Sequence, residues 1–482
     1  MQWHYVMRYV GAIAVCIGLT MLFPLIFSVY YDDGSARSLI QSMSIALGVG
    51  IPIFLFFRRF NQPHMSHRNA MAIVTIGWIA ATLIGALPFF LSGTFNTYTD
   101  CVFESISGFS TTGASVLTNI ESVPKGILMW RSLTHWLGGM GIIVLSLAIL
   151  PFLGLGGMQL YKAEAPGPTP DKLTPRIRDT ASALWRIYLA FTIAMIILLI
   201  CGGMDIFDSI CHTFGTLATG GFSTKNLSIA HYNSAYIDAV ITIFMLLAGI
   251  NFSLHYQMLS GKSRFALKDP ELRFFLSIVA IFIMITTFVL YLTTYPSLSQ
   301  AFRYAAFQVS SIITTTGYAT ADFEIWPVLP QAILLFCMFL GASAGSTGGG
   351  MKCMRIMLLL KHAYLELFRM IHPRAITQLK FGKRLVTEDI IKGIWGFFII
   401  YLGLFILSSF VLTALGIDLI TSFSAVAACI GNIGPGLGSV GPTNNYAHLP
   451  LVAKWVLSFC MLLGRLEIYT VIILFVPEFW RK

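Results

Sequence analysis

The 482-residue sequence predicts an all-α polytopic membrane protein of about ten transmembrane helices: two at the N-terminus, then four helix/pore-loop/helix repeats arranged with pseudo-fourfold symmetry around one pore. Three observations carry this. Mean hydropathy is +0.78, and 56% of residues are hydrophobic while only 11% are charged, against about 25% charged in an ordinary soluble domain. Apolar stretches recur at the length of about 20 residues that a spanning helix requires. Finally, a short polar segment ending in glycine interrupts the apolar sequence four times.

In chain order the spans are read at 9–30, 38–57, 70–91, 126–152, 182–202, 232–259, 272–293, 327–360, 394–415 and 450–476. The first follows a short segment containing Arg8 and continues from Val10 to Tyr30 without a small-x-small cleavage pattern, which marks an uncleaved anchor. Ten spans return both termini to one side. With that side cytoplasmic, 24 of the 31 basic residues lie inside, six lie outside (Arg37, Lys125, Arg131, Lys225, Arg303, Lys454), and Arg465 falls within the last span. This is the positive-inside bias of a multi-pass membrane protein. It accounts for the net charge of +10, and because the basic residues are spread over separate loops it removes the motive for a nucleic-acid surface. The eight cysteines include no CxxC pair and no zinc-spaced histidine, so they read as small apolar packing residues.

The four polar segments are Ser110-Thr111-Thr112-Gly113, Ala218-Thr219-Gly220-Gly221, Thr314-Thr315-Thr316-Gly317 and Gly431-Asn432-Ile433-Gly434. Their final glycines are 108, 96 and 117 residues apart (221 − 113, 317 − 221, 434 − 317), too far for an ordinary solenoid repeat. The chain divides accordingly into an N-terminal two-helix segment (1–69) and repeats at 70–160, 161–262, 263–385 and 386–482. Two places before each glycine stands Thr111, Thr219, Thr315 or Asn432, and six places before it Ser107, Gly215, Ser311 or Ala428. Those small residues suit four elements crowding one axis. The glycines suit a backbone that turns its carbonyls toward a dehydrated cation.

Each repeat reads as a spanning helix, a short descending helix, the polar loop and a second spanning helix. Asp100, Asp205 or Asp208, Ser297 or Ser299, and Asp418 are candidate N-caps of the short helices. The negative dipole ends of those helices then point toward the centre and favour a cation. Irregular backbone at membrane depth is tolerated only where it is buried in protein or lines a wet cavity.

On these residues the chain resembles the potassium-uptake superfamily of Trk, Ktr and plant HKT proteins, and within it the TrkH type of membrane subunit. The resemblance covers nearly the whole length. Its specific marks are the four loop glycines, the stretch Gly341-Ala-Ser-Ala-Gly-Ser-Thr-Gly-Gly-Gly-Met-Lys352, and Gly464-Arg465-Leu466-Glu467 in the last span. The two additional N-terminal spans favour TrkH over the shorter Ktr type. The resemblance implies potassium as the transported ion, a pore within one protomer, a homodimer in membrane lipid of the bacterial inner membrane, and a cytoplasmic TrkA-type ring of nucleotide-binding regulatory subunits, with no nucleotide on this chain. It also implies a potassium-binding filter of Thr111, Thr112, Gly113, Thr219, Gly220, Gly221, Thr315, Thr316, Gly317, Asn432, Ile433 and Gly434. Glycine rather than serine at Gly113 argues for potassium over sodium. Because one glycine per copy replaces the Thr-Val-Gly-Tyr-Gly of potassium channels, discrimination is expected to be looser, admitting rubidium and some sodium.

The resemblance further implies a gate in segment 341–350, with Gly341, Gly345, Gly348, Gly349, Gly350 and Lys352 as its residues together with Arg465. The residues alone support a broken helix, since each helical glycine costs roughly 1 kcal/mol. Close packing through small residues is the alternative reading. No Gly-Lys-Ser/Thr closes the glycine run, which excludes a P-loop.

Arg465 is a cation at membrane depth and therefore a functional candidate. It reads either as a positive charge below the filter or as half of a buried ion pair with Glu104 or Glu467. The stretch 361–392, with Arg369, His372, Arg374, Lys380, Lys383 and Arg384, reads either as a solvated positive-inside loop or as a docking surface, with 161–178 as a second contact.

A broken-helix transporter coupled to protons or sodium is the rival class, although such folds show two related halves rather than four loops. An enzyme is disfavoured by the lack of a Ser/His/Asp set or paired acids, and the ten histidines fall mainly at span ends and in loops without metal-binding spacing.

Overall fold

In a computed structural model residues 3–60, 67–148, 173–261, 263–375, 377–382 and 384–481 are described, and they are mostly helical. The N-terminal pair consists of α1 (Trp3–Thr20), continued after a break at Met21 by α2 (Leu22–Tyr31), and α3 (Ala36–Arg58). Gly11, Gly18 and Gly50 let α1 and α3 approach closely.

Four units of common plan follow. The first contains α4 (His67–Gly85), α5 (Leu87–Leu91), the short α6 (Tyr98–Phe109) and α7 (Lys125–Ala148). The second contains α8 (Leu173–Cys201), the short α9 (Ile206–Leu217), α10 (Ala235–Gly249) and α11 (Phe252–Leu259). The third contains α12 (Pro270–Thr293), the short α13 (Leu298–Ile313), α14 (Val328–Leu340) and α15 (Cys353–Ile371). The fourth contains α16 (Glu388–Ala414), the short α17 (Leu419–Ile430) and α18 (Leu451–Arg465). A two-stranded antiparallel hairpin, β1 (Lys380–Phe381) with β2 (Arg384–Leu385), lies between the last two units.

Among the described residues, six helical segments are long and apolar enough to cross a membrane, and two bent pairs bring the total to eight. The remaining two of the ten expected spans are 126–152, whose described part is α7, and 327–360, which is broken into α14 and α15. The chain is a polytopic membrane protein. Segment 161–178, expected as a second docking contact, lies outside the described residues through position 172.

Two spans expected to be continuous are bent. Helices α10 and α11 meet at 99°, and α18 turns by 111° into the segment after it. The first bend is caused by the distant glycine-rich segment of the third unit. In an unbroken helix the Ala248 carbonyl would accept from Phe252 N–H, but the glycine-rich segment takes over these groups. Ser343 N–H donates to Gly249 O (3.0 Å), Thr347 N–H to Ala248 O (3.4 Å), and Phe252 N–H to Gly345 O (3.1 Å). Asn251 then caps α11 by accepting from Ser253 N–H. The second bend runs through Glu467 (φ 60°) and Ile468 (φ 43°), a left-handed pair in which Ile468 N–H bonds back to Leu463 O.

The short helices are buried almost all round, as elements enclosed by others must be. Their N-caps are Thr97, Asp205, Ser297 and Asp418. Three match expectation. In the first unit Thr97, not Asp100, accepts the capping bond, while Asp100 sits in the first turn and accepts from the Thr97 hydroxyl at 2.7 Å. The units pack cyclically: α7 against α9, α10 against α13, α14 against α17, and α18 back against α6. Among the described residues three ion pairs tie neighbouring units: Arg303 to Asp238 (2.7 Å), Arg355 to Glu467 (2.5 Å), and Lys454 to Asp100 (2.6 Å), the last across the closing contact.

Candidate functional site

Each short helix ends in the same turn. The residue two before the final glycine is left-handed (Thr111 φ 53°, Thr219 54°, Thr315 61°, Asn432 55°). The following N–H donates to the carbonyl five residues back: Thr112 to Ser107, Gly220 to Gly215, Thr316 to Ser311, and Ile433 to Ala428, at 2.7–2.9 Å. This is a Schellman closure. Left-handed threonine or asparagine stores roughly 1–3 kcal/mol of strain at each site. The final glycines are also left-handed: Gly113 φ 84°, Gly221 80°, Gly317 79° and Gly434 101°.

These turns meet head to tail. A Cβ placed on Gly113 would strike the Gly220 carbonyl oxygen, one on Gly221 the Thr316 oxygen, and one on Gly317 the Ile433 oxygen. One on Gly434 would lie 2.8 Å from the Thr112 oxygen. The sequence of contacts runs 1, 2, 3, 4 and back to 1, so the loops form a closed ring, and all four glycines border one cavity with Ser115, Ser223, Asn445 and Tyr446. The carbonyl ends of four short helices converge there, each equivalent to about half a negative charge.

The ring is braced from outside at a register aligned with its glycines. Nine residues before each stand Glu104, His212, Gln308 and Ala425. Glu104 accepts from Ser115 Oγ (2.9 Å) and Val116 N–H (3.0 Å) and pairs with buried Arg131 at 2.6 Å. His212 Nε2 lies 2.9 Å from Ser223 Oγ, and Gln308 Nε2 donates to Ala321 O (3.2 Å). Tyr446 OH donates to Gly434 O at 2.7 Å. The sequence reading considered Glu104 only as a partner for Arg465 and gave His212, Gln308 and Tyr446 no role, although polar groups at one register inside three of the short helices were a legible signal.

Beneath the ring lies segment 341–352, with Gly341, Gly345, Gly350 and Lys352 at positive φ. Gly349 N–H donates to Thr315 Oγ1 (2.7 Å), and Gly348 and Gly349 abut the carbonyls of Thr314 and Gly431. Buried Lys352 turns its ammonium back to the Gly348 carbonyl. Glu271 receives Ala344 N–H (2.6 Å) and Met354 N–H (3.2 Å). Arg465 donates to Thr347 O (2.6 Å) and Gly138 O (3.1 Å). The expected partners of Arg465 are committed elsewhere, because Glu104 holds Arg131 and Glu467 holds Arg355 at 2.5 Å. The alternative of an Arg465 ion pair with either is therefore corrected: the guanidinium faces backbone carbonyls.

Four re-entrant loops closed around one axis, carrying the carbonyl ends of four buried half-helices, define a membrane protein built to handle cations. Comparison places it further. The chain belongs to the TrkH family, described as cation transport protein, which matches residues 43–482. It is 42% identical to the Trk system potassium uptake protein TrkH of Escherichia coli K12, over 100% of both chains. It is 37% identical to TrkG of the same strain, over 98% and 97% of the two chains. The crystal structure of the potassium transporter TrkH from Vibrio parahaemolyticus aligns over 100% of both chains with a TM-score of 0.92 and 39% identity.

Proposed function

We propose that this chain takes up potassium through the four-loop ring, and that segment 341–352 with Arg465 gates the path from below. The observation that most supports the reading is the cyclic seating of each loop glycine against the next loop's carbonyl. A ring of backbone oxygens can replace a hydration shell, and half-helix dipoles favour a cation without fixed acidic charge. The binding set is that of the sequence reading, with the carbonyls of Thr112, Gly220, Thr316 and Ile433 foremost.

The gating assignment rests on two contacts. Gly349 N–H occupies a Thr315 oxygen that faces beneath the ring, and Arg465 anchors Thr347 of the same segment. Opening requires the segment to leave, breaking both. We assign that motion to a cytoplasmic nucleotide-binding ring of the TrkA kind, acting on a homodimer in the inner membrane with both termini cytoplasmic. The exposed face of α15 (Leu360, Tyr364, Leu367, Met370) and the hairpin after it are the proposed contact.

The test is the reversal potential of purified protein in liposomes with potassium on one side and sodium on the other. Potassium preference in the wild type, reduced by Gly113→Ser, is the expected result. Uptake only alongside a proton or sodium gradient would reject the gated pore.

A further inference from the structure

His135 lies in α7, outside the four loops, and its imidazole is fully buried. Nδ1 is 2.8 Å from Gly108 O, in the short helix of the first unit. Phe222 N–H, just past the loop of the second unit, points at Nε2 from 3.2 Å. A backbone N–H can only donate, so Nε2 presents its lone pair and the proton sits on Nδ1, which donates to Gly108. The ring also stacks on Phe222 with centroids 4.1 Å apart. One side chain thus fixes two neighbouring units to each other directly behind the ring of loops.

The same imidazole explains a departure in the second loop. The residue before the final glycine is Thr112, Thr316 or Ile433 in three units but Gly220 in the second. Gly220 is not among the positive-φ residues, so its torsions do not demand glycine. Space does: a Cβ there would come within 2.7 Å of three His135 ring atoms. Gly220 also supplies the carbonyl on which Gly113 sits.

We propose that His135 is a positioning residue for ion selection: it seats the Gly220 carbonyl, and with it the contact between the first two loops, at the spacing that favours potassium over sodium. The inference rests on the proposed role of the ring. Because a seat for an oxygen acts on ion choice, the readout is the potassium-to-sodium permeability ratio in liposomes rather than the rate of uptake.

His135→Leu fills the volume without donor or acceptor, and is expected to lower the ratio roughly three- to tenfold, the range commanded by one hydrogen bond of ordinary net strength. His135→Gln keeps one donor and one acceptor and should recover most of it. Gly220→Ala should lower the ratio in the wild-type background and less in a His135→Ala background, where the clash is gone. A ratio unchanged in His135→Leu, or Gly220→Ala equally damaging in both backgrounds, overturns the proposal. Should His135→Leu not fold, the Gly220→Ala comparison decides. Gly113→Ser run alongside separates the two ideas: if it too leaves the ratio unchanged, the ring reading fails, and if it alone lowers the ratio, only His135 is dismissed.

Discussion

The ring of loops and the layer beneath it are built on opposite plans. The ring takes one turn from each unit, with matched torsions, matched Schellman bonds and matched glycine-to-carbonyl contacts. The layer below is one-sided. The third unit supplies the glycine-rich segment, the fourth supplies Arg465 and Glu467, the second gives up the carbonyls of Leu217, Ala248 and Gly249 to hold that segment, and the first offers the Gly138 carbonyl to Arg465. The contrast follows from what each layer has to do under the proposed mechanism. Surrounding an ion with equal oxygens requires repetition, whereas opening and closing requires one part that moves against fixed neighbours. Four units of one plan supply the first; the second arises where one unit departs from that plan.

The largest effect is expected within the ring, where its symmetry is not complete. Gly317 faces both the Ile433 carbonyl and Pro435, while the nearest atom to a Cβ on Gly434 is 2.8 Å away. Gly317→Ala should abolish potassium preference and destabilise the protein by roughly 1–3 kcal/mol through overpacking. Gly434→Ala should do less of both, measured by reversal potential and thermal unfolding. Equal damage would mean that the fourth loop is as tightly seated as the others.

Next in size is Arg465→Met, which removes two charge-assisted bonds to Thr347 and Gly138. Uptake should rise roughly tenfold, the scale of one such bond, with the permeability ratio unchanged. A shift in the ratio would show that the two layers are not separable. Thr315→Val, which deletes the oxygen holding Gly349 N–H, should raise uptake more modestly, by about fivefold for a neutral hydrogen bond.

A change remote from both layers sets the baseline. Burial of Asp33, in the turn between α2 and α3, would raise its carboxyl, but Gly126 N–H, the Ser28 hydroxyl, and the N–H and hydroxyl of Ser35 outweigh it and hold the group below the ordinary carboxylate range. A depressed folded-state value contributes stability above the unfolded-state value and loses it as pH falls through the folded one, here below about pH 4. Asp33→Asn should unfold slightly earlier at neutral pH and show a flatter acid limb, with no change in ion preference.

Much of this was legible in the sequence because each feature is written locally. Spanning helices follow from apolar length, the repeats from the spacing of four polar segments, and three of four N-caps from residue type just ahead of an apolar run. The glycine content of 341–350 made a broken helix one of two readings there, beside close packing through small residues. Other features were not legible, and the reason is physical. The bend between α10 and α11 has no glycine or proline run to announce it, because it is caused by carbonyl bonds to a segment 94 residues later (343 − 249). The partners of Arg465 are backbone carbonyls, which every residue carries, so no residue type marks them. Gly220 looks like one more small loop residue until the His135 ring stands behind it.

The sequence by itself determined that this chain lies in a membrane, that it carries four copies of a helix-loop-helix unit, and which glycines end the loops, since hydropathy, period and torsional need are properties of short windows. Only the tertiary structure decided that the loops close on one another in order, that segment 341–352 docks under them, and that Glu104 and Glu467 serve Arg131 and Arg355 rather than Arg465. Those are choices among distant partners of similar chemistry, and they are made by which groups the folded chain brings within about 3 Å of each other.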